Sequence, residues 1–250
     1  MASGQEGTVM PVYGRDFAAL YNDKFGFWGP KMWPFLSQAV AKHNPEAKTW
    51  LDLCCGTGSL LSLVCDAGFD TVGVDRSSYQ LKYAKQNAPR ARLVLADIRE
   101  LSLGRKVDVV TCMFDSLNYL TSSKDLKKVF RSVYRHLNHH GLFMFDMNTF
   151  EGLQDTWCRT STIRETNRLI LIETSFDAKK GLGRCLLTGF IQQGRVYRRF
   201  EEMHIERGYH ATEIEALLGQ SGFYFKKLDG NYLTRPKIRS SRLLYLCNAE

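Results

Sequence analysis

Three aspartates in the first half of the chain each stand at the end of a short apolar run, where their carboxylates could bind one polar ligand. Asp52 lies in the run TWLDL before the turn CCGTG, Asp75 follows VGV, and Asp97 follows LVLA. Such runs predict buried strands, and the ends of parallel strands meet along one edge of a sheet, where ligands bind in open α/β folds. A glycine-containing turn between a strand and a helix also presents backbone N–H groups to a ligand. Three carboxylates at three consecutive strand ends favour a binding site over three separate helix caps.

The elements that would carry these residues alternate regularly. Apolar periodicity predicts strands at 49–54, 70–75, 92–96, 107–113 and 141–147, and helices at 58–67, 77–87 and 124–137. Strands joined by helices of this length form right-handed βαβ units, and therefore a parallel sheet with helices on both faces. Ser123 is expected to cap the helix 124–137 and Gly141 to follow its end. The adjacent His139 and His140 are then a solvated helix terminus, not metal ligands.

An aromatic-rich segment precedes this core. Helical spacing predicts helices at 14–25 and 30–43. The aromatic residues of the segment include Tyr13, Tyr21, Trp28 and Trp33. Their simplest role is packing against the core, and this is the favoured one for the two tryptophans. Because residues 11–30 also contain three glycines, we expect this stretch to form a mobile lid that a bound ligand orders.

The pattern changes after Asn148. Residues 163–176, 184–192 and 195–207 predict an antiparallel β-meander, followed by a helix at 212–220 and strands at 223–229 and 241–248. The meander is expected as an insertion and not as a separate domain. The chain is then one domain, 1–250, whose parts are an N-terminal helical lid (11–45), a binding core (46–148), the meander (149–209) and a C-terminal helix with strands (210–250).

Composition limits the class of protein. With 250 residues and 44% hydrophobic content the chain can bury a substantial core, while its apolar runs are too short to span a membrane. Residues 1–10 lack the pattern of a secretory signal peptide. The seven cysteines show no C-x-x-C spacing and lie mostly in apolar segments, so we expect reduced core residues of a cytoplasmic protein. The net charge of +8 is spread along the chain, with one basic cluster at Arg235, Lys237, Arg239 and Arg242. A dispersed charge favours a solubilising surface over a phosphate-binding groove.

Several of these motifs together resemble a known family. Asp52 with CCGTG, Asp75 after VGV, Asp97-Ile98 after LVLA, and VDVVTCMFDSLNYL resemble the successive motifs of class I S-adenosylmethionine-dependent methyltransferases. The resemblance is close over residues 13–148 and looser beyond. The DSLNYL loop, the meander and the E-x-H-x-x-R-x-Y run at 202–209 resemble small-molecule methyltransferases related to the aminosugar N,N-dimethyltransferases. The resemblance implies an α/β fold with a Rossmann-like, doubly wound seven-stranded sheet and an inserted antiparallel β-meander. Cys54 departs from the usual first glycine of G-x-G-x-G, a position that accepts Cys in some relatives.

The resemblance also implies how S-adenosyl-L-methionine would bind. Gly56 and Gly58 would let the backbone approach the methionine part of the cofactor, where a Cβ would collide. Asp75 would accept hydrogen bonds from both ribose hydroxyls, and Asp97, with the Ile98 N–H, would bind the adenine amino group. The predicted cofactor-binding residues are Tyr13, Tyr21, Asp52, Cys54, Gly56, Thr57, Gly58, Asp75, Arg76, Asp97, Ile98 and Phe114.

The same resemblance suggests residues near the reacting methyl group. Methyl transfer is an in-line displacement on a carbon activated by its sulfonium, so alignment of donor and acceptor supplies most of the catalysis. Tyr119, His204 and Tyr21 are the predicted catalytic residues, with Asn118 and Arg207 as further neighbours of the methyl. An amine acceptor needs only to lose a proton, whereas an alcohol usually requires a base or a metal. The sequence shows no cluster of metal ligands, and we expect metal-independent transfer to a small molecule, at nitrogen more readily than at oxygen.

The same residues argue against several other functions and leave two alternatives open. In a nicotinamide dehydrogenase the third glycine of G-x-G-x-x-G would stand at Leu61, and a P-loop would need Lys-Ser/Thr after the turn. The loop at 114–119, FDSLNY, lacks the N/D-P-P-Y/F pattern of many enzymes that methylate bases in nucleic acid. A tRNA or rRNA methyltransferase that uses the basic stretch 235–242 is one alternative, and an inactive cofactor-binding scaffold is another. The expected partner is a small molecule, with no membrane, and the chain acts as a monomer or homodimer.

Overall fold

A computed structural model describes residues 12–230 and 240–249. The helices are α1 (Arg15–Lys24), α2 (Trp28–His43), α3 (Ser59–Asp66), α4 (Ser78–Asn87), α5 (Ser123–His136), α6 (Phe150–Thr156) and α7 (Ala211–Gly219). The strands are β1 (Thr49–Leu53), β2 (Asp70–Asp75), β3 (Arg92–Leu95), β4 (Val107–Cys112), β5 (Leu137–Asn148), β6 (Thr160–Arg164), β7 (Arg168–Asp177), β8 (Leu182–Gln193), β9 (Val196–Arg207), β10 (Tyr224–Asp229) and β11 (Arg242–Asn248).

The central sheet has seven strands in the order β10-β11-β5-β4-β1-β2-β3. Neighbouring strands from β3 to β5 pair in parallel, while β11 is antiparallel to both β5 and β10. The strand order reverses between β1 and β4, which places a crevice at their carboxyl ends. The predicted doubly wound sheet with an inserted meander is therefore confirmed.

The core forms where apolar residues of strands and helices meet. In α5 the buried residues Leu126, Val129, Phe130 and Val133 recur at helical spacing, so one face of the helix packs on the sheet. They join β5 residues such as Phe143 in a cluster that spans the middle of the sheet. The strand β1 is buried along almost all of its length because helices cover both faces. This rigid frame fixes the strand ends that carry the three aspartates.

The second sheet contains the four antiparallel strands β6-β7-β8-β9. It packs against α1, where Phe17 and Leu20 meet Ile170 and Leu187. The insertion leaves and re-enters the core at one place, since Thr149 and Tyr209 form an isolated β-bridge. The N-terminal helix α1 therefore contacts the meander directly.

Local details correct several predictions. The cap of α5 is Ser122, whose hydroxyl accepts from the Lys124 N–H, and Ser123 is the first helical residue. The helix ends at His136, and His139 and His140 are exposed in β5 instead of ending a helix. Residues 163–176, predicted as one strand, instead contain the turn of a hairpin formed by β6 and β7. The turn was missed because the residues between the two strands include neither Gly nor Pro. The short helix α6 was not predicted.

Two other expectations concern the surface. In the part of the chain that the structure describes, no helix is long and apolar enough to cross a membrane. Three residues of the predicted basic cluster, Arg235, Lys237 and Arg239, lie outside the described residues. The fourth, Arg242, forms ion pairs with Asp115 and Asp146.

Candidate active site

A cleft with about 850 Å³ of empty space opens at the carboxyl ends of β1, β2 and β3. Eight of the predicted cofactor-binding residues line this cleft. They are Tyr13, Tyr21, Cys54, Gly56, Asp75, Arg76, Asp97 and Ile98. The sheet topology brings these residues together from separate parts of the chain, as expected for a ligand site at a strand-order reversal.

Asp75 is buried at the end of β2 and organises the loops around it. Its carboxylate accepts from the Gly56 N–H at 2.9 Å and from the Ser77 N–H at 2.8 Å. Burial raises the pKa of this carboxyl above its usual value, against the lowering effect of these N–H groups. A carboxylate has about four lone-pair sites, so acceptor capacity is left for a ligand.

Asp97 is more exposed and caps the short 3₁₀ helix Ile98–Glu100. Its carboxylate accepts from the Arg99 N–H at 2.9 Å and also pairs with the Arg99 guanidinium at 2.6 Å. This pairing holds the pKa of Asp97 below its usual value. Asp97 is therefore a helix cap and also lines the cleft, beside the buried side chain of Ile98.

The turn after β1 has a backbone that favours glycine. Cys54 has φ 54° and Gly56 has φ 55°, both in the left-handed region. This explains why glycine usually stands at the position of Cys54. At Gly58, with φ 79°, an added Cβ would lie 3.0 Å from Ala84 Cα, so glycine permits close packing of α3 on α4. Gly58 and the buried Thr57 do not line the described cavities, and the predicted approach of Gly58 to the cofactor has no support here.

A side pocket of about 470 Å³ continues from the cleft beyond Tyr21 and Cys54. It contains the two remaining predicted residues, Asp52 and Phe114. Asp52 accepts from the Thr111 hydroxyl at 2.7 Å, and its burial raises the pKa of the carboxyl to about 7. The free protein thus holds a carboxyl here that ionises easily if a cation lies beside it.

A second cavity, with about 940 Å³ of empty space, lies between α1, the loop after β4 and the meander. It shares Tyr13, Tyr21 and Tyr119 with the cleft. The three tyrosines form the boundary between the two spaces, and we call them the tyrosine gate. A group bound in one space can therefore meet a group bound in the other at this gate.

A chain of polar contacts leads from the gate into the meander. The Tyr13 hydroxyl donates to the Tyr119 hydroxyl at 3.2 Å, and Tyr119 Oη lies 2.9 Å from His204 Nδ1. His204 Nε2 lies 3.4 Å from a carboxylate oxygen of Glu202. All four groups are held in or beside the second cavity, and burial raises the pKa of the Tyr119 hydroxyl well above its usual value. Tyr119 is thus a neutral phenol within hydrogen-bond distance of the imidazole.

Comparison with known proteins identifies the chain. Residues 51–141 match the family described as a methyltransferase domain. A dTDP-3-amino-3,4,6-trideoxy-α-D-glucopyranose N,N-dimethyltransferase of Streptomyces venezuelae is 28% identical over 220 residues, which cover 87% of each chain. A solved S-adenosylmethionine-dependent methyltransferase from Clostridium acetobutylicum has a TM-score of 0.84 and 29% identity, covering 94% of this chain and 98% of that one. The chain is a class I S-adenosylmethionine-dependent methyltransferase.

The identification confirms the predicted enzyme class and cofactor, and relates this methyltransferase to the aminosugar N,N-dimethyltransferases. A further structure, of S-adenosylmethionine-bound CalS10, an amino pentose methyltransferase from Micromonospora echinaspora, has a TM-score of 0.74 at 19% identity. It covers 97% of this chain and 100% of that chain, and at this identity it shows the shared fold alone.

Two residues predicted near the reacting methyl have structural roles in the methyltransferase instead. Asn118 donates to the backbone carbonyls of Asn148 and Arg207 at 2.8 and 2.7 Å, and so clamps three segments together. The Arg207 guanidinium pairs with Glu213 at 3.0 Å and lies 4.4 Å from the centre of the Tyr209 ring. Neither side chain lines the described cavities.

Three acidic residues around the candidate site of the methyltransferase were not predicted from the sequence. Glu202 holds the lid, while Asp115 and Glu206 line the second cavity. A signal was present: Glu202, His204 and Glu206 alternate along one strand, so they share one face. That face is the buried one, since each of the three is 3% exposed.

The segment predicted to form a lid is held from two sides through Tyr13. Glu202 of the meander accepts from the Tyr13 and Gly14 N–H groups at 2.8 and 2.7 Å. The Ser77 hydroxyl, in the loop that follows Asp75, donates to the Tyr13 carbonyl at 2.7 Å. Tyr13 itself has φ 60°, an unfavourable conformation that these contacts must maintain.

We therefore expect hydrogen exchange in residues 12–30 to slow when S-adenosylhomocysteine is added, because ordering of the Asp75 loop would stabilise its contact with Tyr13. Exchange mass spectrometry measures this. Glu202→Gln, which weakens the two N–H contacts, should reduce the protection. Equal exchange with and without the ligand would contradict a lid that the cofactor orders.

Proposed function

We propose that this methyltransferase transfers the methyl group of S-adenosylmethionine to a nitrogen of a small-molecule amine, by metal-independent in-line displacement. The observation that carries the proposal is the second cavity, which meets the cofactor cleft at the tyrosine gate. Its size suits a small ligand. The named relatives that are N,N-dimethyltransferases of amino sugars support nitrogen as the acceptor atom.

The residues of the cleft fit the cofactor. Asp75 has acceptors left for the ribose hydroxyls, Asp97 and Ile98 would bind the adenine, and the side pocket with Asp52 would take the methionine end. The fit rests on the buried carboxylates and on Gly56, which lines the cleft without a side chain. The cofactor supplies a methyl group already activated by its sulfonium.

The protein's own contribution is alignment and proton removal. Tyr13, Tyr21 and Tyr119 border the point where the acceptor nitrogen would meet the methyl group. The Tyr13 ring centre lies 5.9 Å from that of Tyr21 and 5.8 Å from that of Tyr119. The proton that the nitrogen loses can pass to His204 through the Tyr119 hydroxyl. Holding the two reactants in line is worth effective molarities of about 10⁵ M or more.

The proposal is tested with purified protein, S-adenosylmethionine and a dTDP-linked amino sugar such as the substrates named for the relatives. Mass spectrometry should show methylation of the amine and release of S-adenosylhomocysteine. The dTDP sugar with a hydroxyl in place of the amine is the matched control and should remain unmodified. Methylation of the hydroxyl compound alone, or no turnover on any amine in a wider panel of small amines, would contradict the proposal.

Metal independence is a separate prediction. Among the described residues, no group of three or more His, Cys, Asp or Glu side chains is placed to hold a metal ion. An amine that has lost its proton is nucleophilic enough without a Lewis acid. We expect turnover to be unchanged by EDTA. Activity that EDTA abolishes and Mg²⁺ restores would refute this mechanism.

Asp52 predicts a pH dependence of cofactor binding. Its pKa is raised to about 7 in the free protein, whereas a bound cation favours the ionised carboxylate. Below pH 7, binding must then displace the proton of the Asp52 carboxyl. The affinity for S-adenosylmethionine should therefore rise by up to about tenfold from pH 6 to pH 8, and this gain is lost as the pH falls. Calorimetry measures it, and Asp52→Asn should flatten the profile. A pH-independent affinity in the wild type would contradict this assignment.

RNA is the alternative acceptor suggested by the net charge. Arg242 forms ion pairs with Asp115 and Asp146, which direct its guanidinium into the protein. This member of the basic cluster therefore does not point outward to bind RNA phosphates. Salt-dependent binding of transcripts, with methylation of the RNA, would favour the alternative.

A further inference from the structure

Two carboxyl groups lie side by side in the wall of the second cavity. Asp115 belongs to the loop after β4 and Glu206 to β9, and both line the cavity. The side-chain amide of Asn148 donates to Asp115 Oδ2 and to Glu206 Oε2, at 2.9 Å in each case. One amide nitrogen therefore holds two acidic groups together. We call them the carboxyl pair.

The pair has an unbalanced charge. Asp115 lies 3.2 Å from an Arg242 nitrogen, whereas Glu206 has no cationic side chain within 4 Å among the residues the structure describes. Glu206 is 3% exposed, and its burial, together with the neighbouring charge of Asp115, raises its pKa well above the usual value against the lowering effects of Asn148 and of the Arg242 charge. Two carboxyls this close share a proton more readily than they both ionise. The pair then presents negative charge and free acceptor sites to the cavity.

An independent observation points to a ligand at the same place. His204, two residues before Glu206 on the same face of β9, is also 3% exposed and lines the cavity. Its Nε2 has no hydrogen-bond partner among the described residues, and the Glu202 oxygen at 3.4 Å does not provide one. Buried polar atoms are normally paired, so this nitrogen adds an unsatisfied polar group to the wall that carries the carboxyl pair.

We propose that the carboxyl pair binds the acceptor amine in its protonated, ammonium form and so selects amines over alcohols and acids. The inference rests on the proposed function and names its selectivity element. An ammonium group has N–H donors for both Asp115 and Glu206, and it would give Glu206 the direct ion pair that this carboxyl does not form with any described residue. A neutral hydroxyl group would leave the negative charge of the carboxyl pair uncompensated, and the pair would repel a carboxylate.

The location of the pair agrees with this role. Asp115 precedes Tyr119 by four residues in one loop, and Glu206 follows His204 by two residues in one strand, a separation of about 7 Å along the strand. Before transfer the bound ammonium gives one proton to His204 through Tyr119. The nitrogen lone pair then forms the N–C bond while the C–S bond breaks and its electron pair goes to sulfur, which yields the methylated ammonium product and S-adenosylhomocysteine.

Binding is tested without turnover by titrating the S-adenosylhomocysteine complex with dimethylammonium chloride and following the side-chain carboxyl ¹³C signals of labelled Asp and Glu. Acetate and tert-butanol are the anionic and neutral probes. We expect dimethylammonium alone to shift the Asp115 and Glu206 signals. Glu206→Gln should abolish the binding, whereas Glu201→Gln, on the opposite face of the same strand, should leave it unchanged. Equal responses to tert-butanol, or unaltered binding in Glu206→Gln, would overturn the inference.

A kinetic test separates this inference from the proposed function. With an amine that the wild type methylates, Glu206→Gln and Asp115→Asn should raise KM by about 30- to 5000-fold, the range for removing one partner of a buried charge pair. Asn tolerates the φ of 51° at position 115. If amines are methylated but KM is unchanged in both variants, the pair is not the selectivity element and the proposed function stands. If only a hydroxyl compound is methylated, the proposed function and this inference fail together.

Discussion

Replacement of Asp75 by alanine is expected to weaken the binding of S-adenosylmethionine and S-adenosylhomocysteine by about 5- to 150-fold, or 1–3 kcal/mol. The carboxylate is buried at the end of β2 and would accept charge-assisted hydrogen bonds from the two ribose hydroxyls. It also holds the Gly56 and Ser77 N–H groups, so its loss loosens the loops on both sides of the cleft. Isothermal titration calorimetry measures the change.

Asp70→Ala is the matched control for this variant. Asp70 lies at the other end of the same strand, is paired with Arg105 on the surface, and is remote from the cleft. It should bind both ligands like the wild type. Circular dichroism and thermal melting establish that Asp75→Ala is folded. A folded Asp75→Ala protein with wild-type affinity would remove Asp75 from the ribose site.

The largest kinetic effects are expected at the gate and the imidazole behind it. Tyr119→Phe and His204→Ala should each lower kcat by about 10- to 1000-fold, the range for lost positioning or general-base assistance. Tyr119→Phe removes the hydroxyl that contacts both Tyr13 and His204, and His204→Ala removes the proton acceptor beyond it. Single-turnover measurements with an amine acceptor separate this loss from changes in product release.

Cofactor binding distinguishes a catalytic defect from a folding defect. Both variants should bind S-adenosylhomocysteine within about twofold of the wild type, because the cleft keeps Asp75 and Asp97. Tyr197→Phe and His210→Ala, which change exposed side chains of the same types, should retain full activity. Unchanged kcat in Tyr119→Phe and His204→Ala would move the reacting centre away from the gate.

The central fold could be predicted because its signals are local and repeated. Each apolar strand of the core was visible as a run, and the intervening helices had one apolar face, as in α5. The enzyme class and cofactor followed from the resemblance and are confirmed by the comparisons. The placement of Asp75, Asp97 and Cys54 in one cleft followed from the rule that parallel strands end at one edge.

The parts that were missed depend on contacts between distant segments. The turn between β6 and β7 contains Glu165, Thr166 and Asn167, with neither Gly nor Pro to mark it. Helix α6 has only seven residues and contains Gly152, so its helical signal is weak. Asp115 and Glu206 are 91 positions apart, and Asn148 joins them only once β5, β9 and the loop are in place. No spacing rule within one segment would have found that pair.

The bridge between Thr149 and Tyr209 has a consequence for how such enzymes diversify. Because the chain leaves the core and returns at adjacent residues, with the Phe150 N–H donating to the Tyr209 carbonyl at 3.0 Å, the covalent connections of the insertion meet the core at a single point. The loop-closure cost of a longer or shorter insertion grows only slowly with its length. Residues 150–208 could therefore be exchanged as one segment for those of a relative, in evolution or by design. The recipient would keep its methyl donor and acquire a different acceptor, provided that position 202 of the segment still supplies a carboxylate to hold Tyr13.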